Sequence, residues 1–295
     1  MGDIKNILLT GATGYLGSKL AQSFLDNGYG LFVLKREHSP LSKILPIIDK
    51  VRLYNVETVN YDELFKENKI DAIVHTATLY GRNNESIVEL YHANLIFPLR
   101  LLDSGIKYGV KYFFNANTTL PPSLNPYALS KMQFSDILKL KSKDIKVIDV
   151  ELQYFYGPKD DPSKFVSFLI SKFKTNAPVI DLSAGMQVRD FIYIDDVISG
   201  YITLLKYAER FTDFKSVPLG SGQGILLKDL VNKIKLNFDG NNSILNFGAI
   251  PTRDGEVMHS VADITFLNEL GWTPSFDINE GLRKTITIEN SILYD

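Results

Sequence analysis

A glycine-rich heptad, Gly11-Ala12-Thr13-Gly14-Tyr15-Leu16-Gly17, constrains the fold of this chain more than any other stretch. It stands where an apolar segment ends and a helix-patterned one begins. Ile4 to Thr10 is apolar and bounded by glycine, as a buried strand should be. Leu20, Ala21, Phe24 and Leu25 then recur at helical spacing between Ser18 and Asn27, with Gly28 as a stop. Glycines at such a junction permit a tight turn, let backbone N–H groups approach a pyrophosphate, and let the helix pack on the strand. The alternative is a glycine turn with no ligand. Its place at the first β-α junction of a βαβ run argues against that.

Strands are expected at Leu31–Leu34, Val51–Tyr54, Asp71–His75, Lys111–Phe114 and Lys146–Val150, with helices over Ser86–Leu102 and Ala128–Lys139. Repeated β-α-β units imply a parallel sheet covered by helices on both faces. After Gly157-Pro158 the rhythm changes. A helix is expected at Phe165–Phe173, then irregular sequence to Met186. A strand at Val188–Ile194 opens onto a helix beginning with Asp195 and Asp196, where carboxylates suit the helix dipole. Short helices at Leu227–Ile234, Ile264–Leu270 and Ile278–Thr287 complete a smaller C-terminal lobe. The expected division is a dinucleotide-binding domain over 1–158, also taking in about 188–220, and a lobe over 159–295.

Composition closes off several classes. The 295 residues carry 32 Lys+Arg against 34 Asp+Glu, a net charge of −2, so nothing draws the chain in bulk to nucleic acid or an anionic membrane. Without cysteine there are no disulfides, thiolate metal sites or cysteine nucleophile, which fits a reducing compartment. No stretch approaches about 18 uninterrupted apolar residues, and no leader-like segment precedes the first strand. A cytoplasmic protein is expected. His38, His92 and His259 show no ligand spacing, so no metal is expected, and His75 reads as structural.

Two further patterns carry chemistry. The second strand ends in Lys35-Arg36, followed by Glu37. An acid at that place accepts the ribose 2′-OH of NAD, whereas a cation favours the 2′-phosphate of NADP. NADP(H) is therefore the expected cofactor, with NAD(H) possible through Glu37. Tyr127-Ala128-Leu129-Ser130-Lys131 follows Pro126, and its phenol and ammonium share a helix face. A nearby cation lowers a phenol pKa that is otherwise about 10. Such a tyrosine can give a proton to a carbonyl oxygen receiving hydride, or remove one in reverse.

These motifs occur in order with Val74-His75-Thr76-Ala77, Asn94, Tyr156-Gly157-Pro158, Arg189 to Val197 and Leu270-Gly271-Trp272-Thr273-Pro274. The chain resembles, over essentially its whole length, the extended short-chain dehydrogenase/reductase family of nucleotide-sugar epimerases, dehydratases and ketoreductases. Leu79–Glu85, Thr118–Pro122 and Phe247–Ile250 look most like the CDP-abequose and CDP-paratose synthase-type 4-ketoreductases. Those enzymes reduce CDP-4-keto-3,6-dideoxyglucose at C4 for lipopolysaccharide O-antigen sugars. The resemblance implies an α/β Rossmann-type doubly wound parallel sheet with a smaller C-terminal α/β substrate-binding lobe. It also implies a nucleotide-diphosphate sugar as partner and a homodimer through the helices around Asn94 and Tyr127.

By position, the resemblance makes Tyr127 the acid/base, Lys131 its ribose-binding partner and Thr118 the hydroxyl on the substrate oxygen, with Thr119 in reserve. The family's serine-rich run and Val-Tyr-Gly are absent there. Cofactor contacts fall on Gly11, Thr13, Gly14, Tyr15, Leu16, Gly17, Lys35, Arg36, Asn55, Val56, Thr76, Ala77, Asn94, Tyr127 and Lys131. Substrate contacts fall on Tyr80, Arg82, Tyr154, Arg189 and Arg253, the last two clamping the diphosphate. Ion pairs of Arg189 with Asp190 and of Arg253 with Asp254 are the alternative. Tyr154 stands where many relatives have asparagine, and Glu151 replaces a frequent arginine. Leu120 stands where a 4,6-dehydratase would carry a carboxylate, so dehydration is not expected. The resulting expectation is an NADPH-dependent 4-ketoreductase. Its alternatives are an NAD-dependent nucleotide-sugar 4-epimerase and a non-catalytic NADP-sensing protein, a class that often lacks the tyrosine or lysine.

Overall fold

Six apolar segments line up as parallel strands: β1 (Asn6–Thr10), β2 (Gly30–Lys35), β3 (Arg52–Asn55), β4 (Ala72–His75), β5 (Tyr112–Thr118) and β6 (Lys146–Leu152). The computed structural model describes residues 4–253 and 255–291. All of β4 and four of the five residues of β1 are buried, as befits strands covered on both faces. The strand Phe214–Leu219 joins the β6 edge, giving the order Phe214–Leu219, β6, β5, β4, β1, β2, β3. The order reverses between β1 and β4. Right-handed crossovers then send helices to opposite faces, and ligands of such sheets bind outside the carboxyl ends at the reversal. The expected Rossmann-type parallel sheet is present.

By its contacts the chain divides into two compact units, the first running to Leu152 and taking in Ile198–Val217. Its core gathers Leu8, Phe32, Ile73, Leu101, Phe113 and Phe134, each worth about 2 kcal/mol for leaving water. Its helices are α1 (Tyr15–Asp26), α2 (Tyr61–Glu67), α3 (Ile87–Tyr91), α4 (Phe97–Lys107) and α5 (Pro126–Lys141). Asn60 caps α2 by accepting from Asp62 N and Glu63 N, and Ser86 with Glu89 forms a capping box on α3. The single helix expected over Ser86–Leu102 is interrupted by a π turn at His92–Ile96. Pro98 has no N–H to give the carbonyl of Asn94, four residues back, and a wider turn absorbs that missing bond.

The second unit comprises Gln153–Val197 and the chain from Pro218 onward. The strand Val188–Tyr193 is central, parallel to Tyr154–Tyr156 and His259–Ser260 and antiparallel to Gly224–Leu226. A separate parallel pair joins Val179–Leu182, in a stretch expected to be irregular, to Ile244–Phe247. Helices Phe165–Lys174, Leu227–Lys235, Thr265–Glu269 and Ile278–Ser291 accompany them. Asp190, fully buried, accepts from Ser221 N and Oγ, Gly222 N and Ala262 N, so one carboxylate ties two loop segments to the central strand. Asp196, at the start of Ile194–Lys206, accepts from Ser275 N and Phe276 N. Among the described residues, no helix is long and apolar enough to cross a membrane.

Candidate active site

The phosphate loop is built on contacts that tolerate no side chain. Gly11 has φ +75°, and a Cβ there would lie 2.6 Å from Ala77 N. At Gly17 a Cβ would lie 2.1 Å from the carbonyl oxygen of Gly11, so glycine is what lets α1 start against β1. Thr10 Oγ1 accepts from the backbone N–H groups of Thr76 and Ala77, and Thr76 Oγ1 donates to Thr10 O at 2.7 Å. The ends of β1 and β4 are thereby laced together. Gly14 caps α1 with no side-chain acceptor, and the first turn holds no acid. Its N–H groups are left for an anion. Leu16 and Gly17 are buried packing residues, while Thr13 and Tyr15 are half-buried at the rim. A cradle that any Cβ would fill, ahead of an uncapped helix, fits a dinucleotide pyrophosphate.

The acid/base residues come from β5 and α5. Asn125 caps α5 by accepting from Ala128 N at 2.8 Å, and Pro126 begins its first turn. That places Tyr127 in the first turn, with the side chains of Thr118 and Thr78 close enough to its phenol to lower its pKa. Thr118, at the end of β5, thus lies beside the phenol. The Tyr80 ring lies 5.0 Å from that of Tyr127, with the Arg82 guanidinium 4.8 Å over Tyr80. Tyr80, Arg82, Thr118 and Tyr127 are therefore brought together. Thr78 belongs with them and is not singled out by the sequence; its signal is its place just beyond the Val74–Ala77 motif.

The electrostatics depart from expectation. Burial pushes the Tyr127 phenol up, reinforced by Tyr80, and this outweighs the lowering by Thr118, Arg82 and Thr78. The cation acting on the phenol is Arg82, where Lys131 was the expected one. Lys131 is 1% exposed, and burial pushes its ammonium down to about 8, with Asp149 acting in the opposite sense.

Other expected residues are committed elsewhere. Asn94, in the π turn, is fully buried. Its amide donates to Leu79 O and Ser130 Oγ, and its oxygen accepts from Leu79 N and Thr78 Oγ1. It wires the segment after β4 to α5, leaving no polar atom for a cofactor. Asn55 Oδ1 accepts from Glu57 N, and Val56 N donates to Lys35 O, so both serve the turn after β3. In the second unit Arg189 is 3% exposed. Its Nε donates to Tyr154 Oη at 3.1 Å, one terminal nitrogen to Val188 O, and the other pairs with Glu256. The partner of Arg189 is thus Glu256 and not Asp190. Arg253 is exposed; its suggested partner, Asp254, lies outside the described residues. Among the described residues, no group of three or more His, Asp or Glu could hold a metal ion.

Comparison with known proteins bears on this geometry. Residues 7–220 match the model of the NAD dependent epimerase/dehydratase family. The chain is 33% identical over 294 residues to CDP-abequose synthase of Salmonella muenchen, covering 97% of this chain and 98% of that protein. Among solved structures it resembles UDP-glucose-4-epimerase from Stenotrophomonas maltophila with bound NAD and formylated UDP-arabinopyranose (TM-score 0.85, 20% identity, 98% and 99% of the two chains). It also resembles UDP-glucuronic acid 4-epimerase from Bacillus cereus in complex with UDP-glucuronic acid and NAD (TM-score 0.85, 22% identity, 97% and 99%).

These relatives correct the cofactor expectation: both solved epimerases hold NAD and not NADP. The geometry at the end of β2 gives a physical reason. Lys35 Nζ turns back onto the carbonyls of Arg36 and Glu37, at 3.1 and 3.0 Å. Glu57 Oε2 accepts from Glu37 N at 3.0 Å. Lys35 is satisfied by backbone, and the Glu57 carboxylate stands at the corner where a 2′-phosphate dianion would have to sit.

Proposed function

Since the chain belongs to the NAD dependent epimerase/dehydratase family, we propose that it binds NAD(H) and a nucleotide-diphosphate sugar and acts at sugar C4 as a 4-epimerase. The observation that carries this reading is the phenol of Tyr127 beside Thr118, with Lys131 one helical turn away. Bound NAD(H) supplies the acceptor and donor of the C4 hydride. Thr118 Oγ1 orients the C4 oxygen. Burial raises the Tyr127 phenol in the free protein, so Tyr127 would act as base only as the phenolate, taking the hydroxyl proton as that oxygen becomes a carbonyl and returning it when the opposite sugar face is reduced. Lys131 holds the ribose, and Arg82 is the cation that acts on the phenol. Leu120, next along from Thr119, supplies neither acid nor base for water elimination. With Arg189 committed to Glu256 and Tyr154, exposed Arg253 is the cation assigned to the diphosphate. The two NAD-bound 4-epimerases that share the fold support the epimerase reading.

One observation favours a second reading, one-way reduction of a 4-keto sugar. The similarity to CDP-abequose synthase spans 97% of the chain at 33% identity. The same three side chains would then deliver a proton to the C4 oxygen. One experiment separates the readings. Acid-released nucleotide from the purified protein is identified, and CDP- and UDP-hexoses are incubated with the protein without added reductant. The epimerase reading expects bound NAD and interconversion at C4. Stoichiometric NADH consumption by a CDP-4-keto sugar, without interconversion, replaces it with the second reading. Neither activity with any nucleotide sugar sinks both.

A further inference from the structure

Four neighbouring strands each place one polar side chain on the same line across the sheet. Thr10, His75, Asn115 and Asp149 stand side by side on β1, β4, β5 and β6, and none is more than 1% exposed. Thr10 Oγ1 lies 2.8 Å from His75 Nδ1. Asn115 Nδ2 donates to Asp149 Oδ1 at 2.7 Å. Asp149 Oδ2 accepts from Asn117 Nδ2 at 2.8 Å and from Ser135 Oγ. Ser135 lies four residues beyond Lys131 on α5, so the two share one helix face. The face carrying Lys131 is therefore fastened to Asp149 from below.

Burying a carboxylate and an ammonium is costly unless each is paired and hydrogen-bonded. Asp149 has three donors, and it is the carboxylate whose charge favours the Lys131 ammonium. The other titratable groups around the pair are neutral at pH 7. Burial and Lys131 both disfavour the charged form of His75. Tyr127 on α5, and Tyr201 on Ile194–Lys206, are both raised by burial. Ammonium and carboxylate are thus the two charges of the cluster.

We propose that Asp149 is a positioning residue for Lys131: its bonds to Asn115, Asn117 and Ser135 hold the face of α5 that carries Lys131 where Tyr127 meets Thr118. The sequence pattern does not single out Asp149, which sits inside a strand read as apolar. The functional value of this pair rests on the role given to Lys131 above, but its test needs no substrate.

The measurement is an NMR titration of protein labelled at lysine Cε, without cofactor or sugar, with Lys131 assigned from its absence in Lys131→Arg. The Lys131 midpoint is expected at about 8 in the parent protein. It should fall by at least about one pH unit in Asp149→Asn and return toward the parent value in Asp149→Glu. Should Asp149→Asn fail to fold, Ser135→Ala decides: it removes the bond from α5 to Asp149 and should lower the Lys131 midpoint by at least about half a pH unit. An unchanged Lys131 midpoint in folded Asp149→Asn, or in Ser135→Ala, overturns the proposal. A chain that acted on no nucleotide sugar would sink the functional reading and leave this titration intact.

Discussion

Raising the pH above 8 should stabilise this fold through one side chain. An ordinary lysine titrates near 10.5, whereas burial holds Lys131 at about 8. Each pKa unit is worth about 1.4 kcal/mol, so keeping this ammonium charged in the fold at pH 7 costs about 3 kcal/mol. The folded-state pKa is depressed, so between about pH 8 and 10.4 the unfolded chain binds more protons and stability climbs with pH. Tyr127, Tyr156 and Tyr201, all raised by burial, lose their contribution above about pH 10. Comparison with Lys131→Met cancels them. Urea denaturation of both proteins at matched pH gives the difference in unfolding free energy. From pH 7 to 9.5 that difference should move by about 2 kcal/mol in favour of the lysine protein. A flat difference would mean that Lys131 titrates in the fold as it does in water, and the reasoning about its burial would be wrong.

Tyr127→Phe should lower kcat at least ~100-fold while leaving NAD binding, followed by fluorescence, within about twofold. Thr118→Ala should lower kcat at least ~10-fold, and Thr119→Ala should not, in the same turnover assay. In Gly17→Ala the new methyl meets the Gly11 carbonyl oxygen, and such overpacking costs about 1–3 kcal/mol; calorimetry should show NAD affinity falling at least tenfold (about 1.4 kcal/mol). Ile87, Val88, Ile96 and Leu129 are exposed apolar residues on α3, the π turn and α5. Light scattering should report twice the 33.2 kDa chain mass, and Val88→Asp should return it to a monomer.

What was readable in the sequence is what depends on short spacing. The heptad and the Tyr127–Lys131 pair work through neighbours within one turn of chain, so both were legible before any coordinates. The long apolar strands of the first unit were legible for the same reason. Lys35 was misread because sequence does not show where a flexible amine points, and here it points at its own backbone. The bonding of Asn94 was not legible because its partners come from the segment after β4 and from α5, far away along the chain. Short strands such as Gly224–Leu226 and His259–Ser260 exist only by pairing with Val188–Tyr193, and they carry no periodic pattern. The break at His92–Ile96 was legible in principle, since Pro98 stands in plain view.

The polar line from Thr10 to Asp149 has a consequence for how the chain avoids misfolding. Aliphatic strands can slide past one another at little cost, because one valine packs much like the next. A one-residue slip of β4 or β5 would instead carry His75 or Asn115 to the opposite face of the sheet. It would leave Asp149 with Ser135 as its one remaining donor, or part Thr10 from His75, in a dry interior, a loss of about 1–3 kcal/mol for each orphaned group. The row thus acts as a vernier mark: it recognises one alignment of four strands and penalises the neighbouring ones.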